Sequence, residues 1–254
     1  MSDPLLSIRN VTKIFGGLVA VDGVSCEVRR GEVVGLLGDN GAGKSTLIKC
    51  VSGVYQPEEG EIVFDGAPVE FASPMDARKV GIETIYQDLA LANNLDVGAN
   101  IFLGREVKKR RLGGLVQTLD DLLMLEESRQ TLDSLQIRFP TLTEPIENLS
   151  GGQRQAVAIA RAVYWEAKLM IMDEPTNNLG VPEQHKVLEL IRTLKTRGVP
   201  VILITHILPD VFAVTDRVIV MRRGRKVAEK TTAKTNSEEL VQYMVGAREE
   251  ALAV

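Results

Sequence analysis

The feature that most constrains this chain is a glycine-rich loop between an apolar run and a segment with helical character. Residues 33–37 can form a buried strand, and residues 47–51 can continue as a helix. The loop matches the G-x-x-x-x-G-K-[ST] phosphate-binding motif in the strand-loop-helix setting that the motif requires. Its residues are Gly38, Asp39, Asn40, Gly41, Ala42, Gly43, Lys44, Ser45 and Thr46.

The residue types in this loop suit the binding of phosphate and Mg²⁺. Glycines let successive backbone N–H groups turn inward around phosphate oxygens, and the start of the helix adds partial positive charge. Lys44 can reach the β- and γ-phosphates, and the Ser45 hydroxyl can ligate Mg²⁺. The loop therefore predicts a site for a nucleoside triphosphate together with Mg²⁺.

The composition excludes several other classes of protein. The 254 residues are 44% hydrophobic and 25% charged, which is typical of a folded domain rather than a disordered or fibrous chain. A net charge of −4 argues against a nucleic-acid partner, because such proteins present basic surfaces. The sequence has no apolar stretch near the roughly 18 residues of a membrane span.

The N-terminus and the cysteines point to a cytosolic chain. Residues 1–6 do not resemble a signal peptide. Cys26 and Cys50 have neither disulfide-framework nor metal-ligand spacing, and we interpret both as small core residues. If the protein acts at a membrane, we expect another protein to hold it there.

The order of patterns along the chain predicts one α/β domain over residues 1–254. Its core, residues 1–89 and 148–254, is expected to be a mostly parallel sheet flanked by helices, which is the phosphate-loop nucleotidase fold. An antiparallel β subdomain is expected near the N-terminus. The pair Asp65-Gly66 indicates a hairpin turn within it.

Residues from about 90 to 147 carry helical patterns and are expected to form a helical subdomain inserted into that core. Thr118 is predicted to begin a capping box before a helix in this segment. The basic run at residues 108–111 is interpreted as a solvated face, with a lipid or protein contact as the alternative.

Polar side chains follow three buried strand patterns. Asp173 and Glu174 end one apolar run, His206 ends the next, and Gln87 follows an earlier strand. Carboxylates at the C-terminal end of a parallel strand, beside a phosphate loop, lie where Mg²⁺ needs oxygen ligands. Taken alone, the carboxylates could also be surface charge and His206 could be structural; His185 we interpret as structural.

A second helix start carries donors of the same kind. Ser150, Gly151, Gly152 and Gln153 open a helix, so its first N–H groups and its dipole could bind an anion. Local physics supports a simple Ser cap on a core helix equally well.

Together these motifs resemble those of the ATPase subunits of ABC transporters. The phosphate loop, Gln87, the Leu-Ser-Gly-Gly-Gln signature at residues 149–153, Asp173-Glu174 and His206 occur in that family's order and rough spacing. The resemblance extends from Leu5 to about Lys230. The signature is highly specific, because other phosphate-loop enzymes lack it.

The resemblance implies how ATP and Mg²⁺ would be held. Phe15, in isolation an ordinary core residue, would stack on the adenine ring. Lys44 and the loop amides would bind the phosphates. Ser45 and Gln87 would reach Mg²⁺, and Asp173 would hold it through water.

The resemblance also implies the groups that hydrolyse ATP. Glu174 would act as general base on the attacking water, and His206 would contact the γ-phosphate. The residues expected to take part in hydrolysis are thus Glu174, His206, Lys44 and Gln87. Two copies would pair head to tail, so that the signature of one copy closes over the ATP of the other. The signature residues in that role are Ser150, Gly151, Gly152 and Gln153.

The loop after Glu174 narrows the kind of transporter. Most family members have Ser-Ala-Leu-Asp where this chain has residues 177–180, so Gly180 replaces an aspartate and puts its usual cross-dimer contact in doubt. Leu-Gly here, with the phosphate-loop sequence, resembles ATPases of monosaccharide importers of the ribose, xylose and fructose kind. The resemblance then implies a homodimer, peripheral at the cytoplasmic face of the inner membrane. Its partners would be a separate transmembrane permease, gripped by the helical segment and the Gln87 loop, and indirectly a sugar-binding protein.

Three other functions compete with sugar import as explanations of these motifs. One is a non-transport ABC ATPase on ribosomes or chromosomes, although ribosomal members usually join two ATPase halves and chromosomal ones insert a long coiled coil. Another is an ABC transporter for a substrate other than sugar. A third is a stand-alone kinase or GTPase, for which the signature has no use.

Overall fold

The structure is a computed structural model that describes residues 3–111 and 116–248. The chain divides into two compact units. The first contains the chain up to Gln87, Lys168–Pro175 and the part from Ile191 onward, and the second contains Asp88–Ala167 and Thr176–Leu190. None of the helices in the described residues is long and apolar enough to span a membrane.

An antiparallel sheet forms the N-terminal part of the first unit, as expected. Its strands are β1 (Leu6–Phe15), β2 (Leu18–Val28), β4 (Glu59–Phe64) and β5 (Ala67–Pro68), in the order β2-β1-β4-β5. β4 and β5 pair antiparallel with Val63 opposite Pro68, so Asp65 and Gly66 form the predicted turn between them. Cys26 on β2 is buried, which confirms its interpretation as a core residue.

The second sheet of this unit is mostly parallel. Its strands are β3 (Val33–Leu37), β6 (Ile82–Ile85), β9 (Leu169–Asp173), β10 (Val201–Ile204), β11 (Arg217–Arg222) and β12 (Arg225–Thr231). The order is β12-β11-β3-β10-β9-β6, and only β12 runs antiparallel to its neighbour. Because both faces of such a sheet are covered at its centre, the strands β3, β9 and β10 are nearly continuous apolar runs. The α/β fold with a parallel core sheet is therefore confirmed.

This strand order decides where the polar residues meet. β3, β10, β9 and β6 are consecutive neighbours and run in the same direction. Their C-terminal ends consequently lie side by side at one edge of the sheet, here called the carboxyl edge. The glycine-rich loop, His206, Asp173-Glu174 and Gln87 each follow one of these ends. Ligands in open α/β sheets bind at such an edge.

Helices accompany these sheets in the first unit. They are α1 (Lys44–Val51), α2 (Pro74–Lys79), α7 (Leu208–Val214), α8 (Ser237–Val245) and the later part of α6 (Val181–Thr196). α1 buries Leu47, Ile48, Cys50 and Val51 in the main hydrophobic core, together with residues of β3 and β9. The phosphate loop is thus anchored on both sides by buried apolar segments.

The second unit contains helices and a hairpin. α3 (Val97–Phe102), α4 (Asp121–Ser134) and α5 (Gly151–Tyr164) contact one another. β7 (Lys108–Arg111) and β8 (Val116–Leu119) pair antiparallel, which the helical pattern of this segment did not predict. The basic run at residues 108–111 therefore forms a strand. Gly113 and Gly114, which interrupt the helical pattern of this segment in the sequence, lie outside the described residues.

The helix cap predicted in this segment was placed on the wrong residue. Thr118 belongs to β8, and the N-cap of α4 is Asp120, whose side chain accepts a hydrogen bond from the Leu123 N–H. Thr118 pairs with Lys109 of β7, so it is part of a strand and not of the helix start. A carboxylate two residues later fulfils the same capping role.

Candidate functional site

The phosphate loop connects β3 to α1 and leaves its backbone donors open. Gly43 is the N-cap of α1, and no side chain makes a capping hydrogen bond there. Its φ of 97° is left-handed, and an added Cβ would lie 2.5 Å from the Ala20 carbonyl oxygen. Only glycine fits this position. The first N–H groups of α1 thus form a cradle that suits phosphate oxygens.

The Lys44 side chain lies back against its own loop. Its Nζ donates hydrogen bonds to the carbonyl oxygens of Gly38 (2.7 Å) and Asp39 (3.0 Å). Burial lowers the pKa of Lys44, while the carboxylates of Glu174, Asp173 and Asp39 act in the opposite direction. An ammonium held this way is costly to bury and is well placed to bind an anionic phosphate instead.

Glu174 and His206 meet at the carboxyl edge of the sheet. The Glu174 N–H donates to the Ile204 carbonyl oxygen over 2.9 Å, which joins the end of β9 to the end of β10. Glu174 adopts a left-handed φ of 50°. Its Oε1 lies 3.0 Å from Nδ1 of His206, and the His206 side chain remains more than half exposed. The tertiary structure therefore pairs the two residues that were expected to act on the same phosphate.

Asp173 and its neighbours fit a divalent cation. Burial and then the neighbouring Glu174 raise the pKa of Asp173, so this carboxylate group lacks a full countercharge. Ser45 lies in the first turn of α1, and Gln87 is exposed just after β6. Hydroxyl, amide and carboxylate oxygens are the ligands that Mg²⁺ prefers. The chemistry of this donor set thus suits the predicted ion.

Phe15 is not a core residue. It ends β1 with 41% of its surface exposed, which contradicts the assignment made from its hydrophobicity alone. Its ring packs edge-on against Tyr55 at a centroid distance of 5.0 Å, and Lys13 Nζ lies 5.2 Å from the Phe15 centroid. An exposed ring of this kind can stack on a base. Tyr55 was missed in the sequence, because nothing local distinguishes it from a core aromatic residue.

The signature begins α5 with a complete capping box. The Ser150 Oγ accepts the Gln153 N–H at 3.3 Å, and the Gln153 Oε1 accepts the Ser150 N–H at 2.9 Å. Ser150 therefore caps the helix, as one interpretation required. It is also exposed, as the anion-binding interpretation required. An added Cβ on Gly151 would lie 2.6 Å from Leu179 Cδ2, so the loop after Glu174 packs against the start of α5.

Glu183 is a further residue at this helix start that the sequence analysis missed. It lies in the first turn of α6, and its Oε2 accepts the Gly180 N–H at 3.4 Å. Hydrogen bonds from the Ser150 hydroxyl, and from the Gly180 and Gly152 N–H groups, lower the pKa of Glu183. An acidic residue three positions after a glycine is a capping signal in the sequence, and it could have indicated the contact between Glu183 and the Gly180 N–H.

Comparison with known proteins places these features in one class. The profile of the ABC transporter family matches residues 21–177. The chain belongs to the ABC transporter family, which confirms the resemblance inferred from its motifs. In that family it corresponds to the ATP-binding component.

Within this family, several relatives match nearly the whole chain. It is 54% identical to the xylose/arabinose import ATP-binding protein XylG of Sulfolobus acidocaldarius, over 96% of this chain and 94% of the relative. It is 43% identical to the fructose import ATP-binding protein FrcA of Rhizobium meliloti, over 97% and 96%. The ribose import ATP-binding protein RbsA 2 of Escherichia coli O157:H7 is 41% identical, but the chain spans only 47% of its length.

Solved structures agree with the fold. An ATP-binding cassette of an ABC transporter superposes with a TM-score of 0.83 at 27% identity, covering 95% of this chain and 99% of that one. The cbiO1 protein of Clostridium perfringens, part of an ABC transporter complex, superposes with a TM-score of 0.79 at 27% identity, covering 97% and 96%.

Proposed function

We propose that the chain is the ATP-hydrolysing subunit of an importer that moves monosaccharides through a separate membrane permease. One observation carries the hydrolytic part: the phosphate loop, Glu174 and His206 follow neighbouring parallel strands, with 3.0 Å between Glu174 Oε1 and His206 Nδ1. Sugar as the cargo is supported by XylG and FrcA, whose names record import of xylose or arabinose and of fructose. Both match over nearly their full length, which favours import over a ribosomal or chromosomal role.

In this proposal the side chains at the carboxyl edge divide the work of hydrolysis. Lys44 exchanges the carbonyl oxygens of Gly38 and Asp39 for phosphate oxygens, so its charge is satisfied by the substrate. A carboxylate oxygen of Glu174 accepts the proton of the attacking water. His206 holds Glu174 in place and donates toward the terminal phosphate. When bound by Ser45, Gln87 and Asp173, Mg²⁺ supplies positive charge to the phosphate oxygens.

The signature requires a second copy of the chain in this scheme. Ser150, Gly151 and Gly152 present donors at the start of α5 that would receive the terminal phosphate of ATP bound by the other copy. Closure of two copies would then depend on ATP, and hydrolysis would release it. We assign the contact with the permease to the second unit and the Gln87 loop. The dimer would sit at the cytoplasmic face of the membrane as a peripheral protein.

The experiment that tests this function starts from detergent extracts of the source cells. The tagged chain should recover a multispan membrane protein, and the reconstituted complex should hydrolyse ATP faster when xylose, arabinose, ribose or fructose is supplied with its binding protein. Glu174→Gln serves as the control without hydrolysis. Recovery on ribosomes or DNA alone would contradict transport, and stimulation by none of these sugars would contradict the assigned cargo class.

A further inference from the structure

The carboxylate of Glu183 lies against the first turn of the signature helix. Its Oε2 accepts the Gly180 N–H at 3.4 Å, and the Ser150 hydroxyl and the Gly152 N–H are close enough to lower its pKa. An added Cβ on Gly152 would lie 3.0 Å from the Cβ of Glu183, so the absence of a side chain at Gly152 allows this approach. All four residues belong to the second unit.

The contact places a negative charge where a helix start favours one. Free N–H groups and the aligned peptide dipoles give the start of α5 a partial positive charge. Glu183 is also in the first turn of α6, so one carboxylate serves the starts of two helices. Its pKa is lowered, first by the Ser150 hydroxyl, so the group is ionised at neutral pH.

Ser150 and Gly152, which lie beside Glu183, carry donors that the proposed function assigns to the terminal phosphate of ATP. A hydroxyl or an N–H group cannot give one hydrogen to two anions at full strength, and two anions at one helix start repel each other. The phosphate of the second copy's ATP must therefore displace the carboxylate before the two copies close.

We propose that Glu183 is a positioning residue whose carboxylate occupies the start of α5, beside Gly152 and Ser150, in the nucleotide-free chain and is displaced by the terminal phosphate of ATP when two copies close. The inference rests on the proposed function of the signature. It has a second consequence, because displacement also frees the Gly180 N–H. Binding of the phosphate at the signature would thereby change a hydrogen bond in the loop that follows Glu174.

A purely structural role for Glu183 makes a different prediction. As the acidic residue of a helix cap, Glu183 would be replaceable by Gln, whose side chain has the same shape and still accepts hydrogen bonds. ATP-driven closure would then be unchanged or weaker. Under displacement, Glu183→Gln loosens the nucleotide-free contact and removes the repulsion, so closure becomes easier.

The test measures dimer formation against ATP concentration by analytical ultracentrifugation, in a Glu174→Gln parent that does not consume ATP. Addition of Glu183→Gln should lower the ATP concentration at half-closure by roughly two- to fivefold, the usual effect of a charge at a helix start. The difference should shrink as salt is raised, since screening weakens the contact of an exposed charge. Glu166→Gln, an exposed carboxylate just beyond the other end of α5, is the charge-matched control and should show no shift.

The outcomes separate this inference from the proposed function. If the parent does not dimerise with ATP at any concentration, the role of the signature in closure is wrong. If the parent dimerises and Glu183→Gln leaves the midpoint unchanged or raises it, only the displacement of Glu183 is wrong. A lowered midpoint that does not depend on salt would likewise overturn it, because charge would not be the cause.

Discussion

Two helix starts in this molecule carry the residues expected to bind ATP, and they are built in opposite ways. At α1 the N-cap is Gly43, no side chain caps the helix, and the Lys44 ammonium lies against loop carbonyl oxygens. At α5 the N-cap is Ser150 within a complete capping box, and the carboxylate of Glu183 adds a third acceptor. The first start leaves its donors open for an anion, whereas the second satisfies its donors from within the chain.

This difference indicates which start binds ATP first. A ligand at α1 meets free amides and gains the Lys44 ammonium, so an isolated chain can bind nucleotide. A ligand at α5 must replace contacts that already exist, so its net gain is small. Binding at α5 therefore depends on a phosphate that is already held by a second copy.

Removal of the general base should greatly slow hydrolysis while it leaves both helix starts intact. Glu174→Gln is expected to lower the rate of ATP hydrolysis by roughly 10²–10⁴-fold, the usual contribution of a general base. ATP should still bind and hold two copies together. Phosphate release and light scattering measure the two properties, and turnover near that of the wild type would remove Glu174 from its role.

Changes at the two starts should separate binding from closure. Lys44→Ala is expected to weaken ATP binding to the single chain by about 10–100-fold, because hydrogen bonds from a charged group are lost. Ser150→Phe should leave that affinity unchanged and still abolish hydrolysis, since the second copy cannot close. Fluorescent ATP binding to dilute protein tests both variants. Equal loss of affinity in Ser150→Phe would show that the signature is merely structural.

The stability of the nucleotide-free chain should respond differently at the two starts. Ser150→Ala removes an N-cap and is expected to lower the free energy of unfolding by about 1 kcal/mol. Lys44→Ala removes a buried ammonium whose pKa is already lowered by burial, and it should cause no such loss. Urea denaturation without nucleotide measures both changes. If Lys44→Ala lowered the free energy of unfolding more than Ser150→Ala, the proposed contrast would be wrong. That contrast is between open donors at the start of α1 and donors satisfied by the chain at the start of α5.

The smallest expected effect is a pH dependence at α5. The folded pKa of Glu183 is depressed, first by the Ser150 hydroxyl and with a minor contribution from Lys186. Its stabilising contact is consequently present above the unfolded pKa of about 4.3 and is lost as pH falls through the folded value. Wild type and Glu183→Gln should thus differ in urea midpoint at pH 7 and converge as the pH falls through the folded pKa. A constant difference across this range would contradict an ionised contact.

Much of the candidate site could be predicted from the sequence, because its groups lie in short motifs. The loop around Lys44 and the run that ends in Asp173-Glu174 carry their chemistry within a few residues, and each follows a recognisable buried strand. The antiparallel N-terminal strands and their Asp65-Gly66 turn were also predictable, since alternation and turn residues are local signals.

The features that were missed depend on pairing between distant segments. The exposure of Phe15 follows from its place at the end of β1, which hydrophobicity does not report. The hairpin of β7 and β8 wins over a helical pattern because its two strands satisfy each other's backbone hydrogen bonds. Asp120 replaces Thr118 as a cap for the same reason.

The sequence by itself determined the chemistry of this protein: the phosphate loop, the signature and the residues at the strand ends identify an ATP-binding chain of the ABC transporter family. Only the tertiary structure decided which residues meet. β10 lies between β3 and β9, and this order brings His206 to within 3.0 Å of Glu174. Within the second unit, the tertiary structure also brings Glu183 close to Ser150, although 33 positions separate them (183 − 150). Such contacts result from packing between elements, which local spacing does not encode.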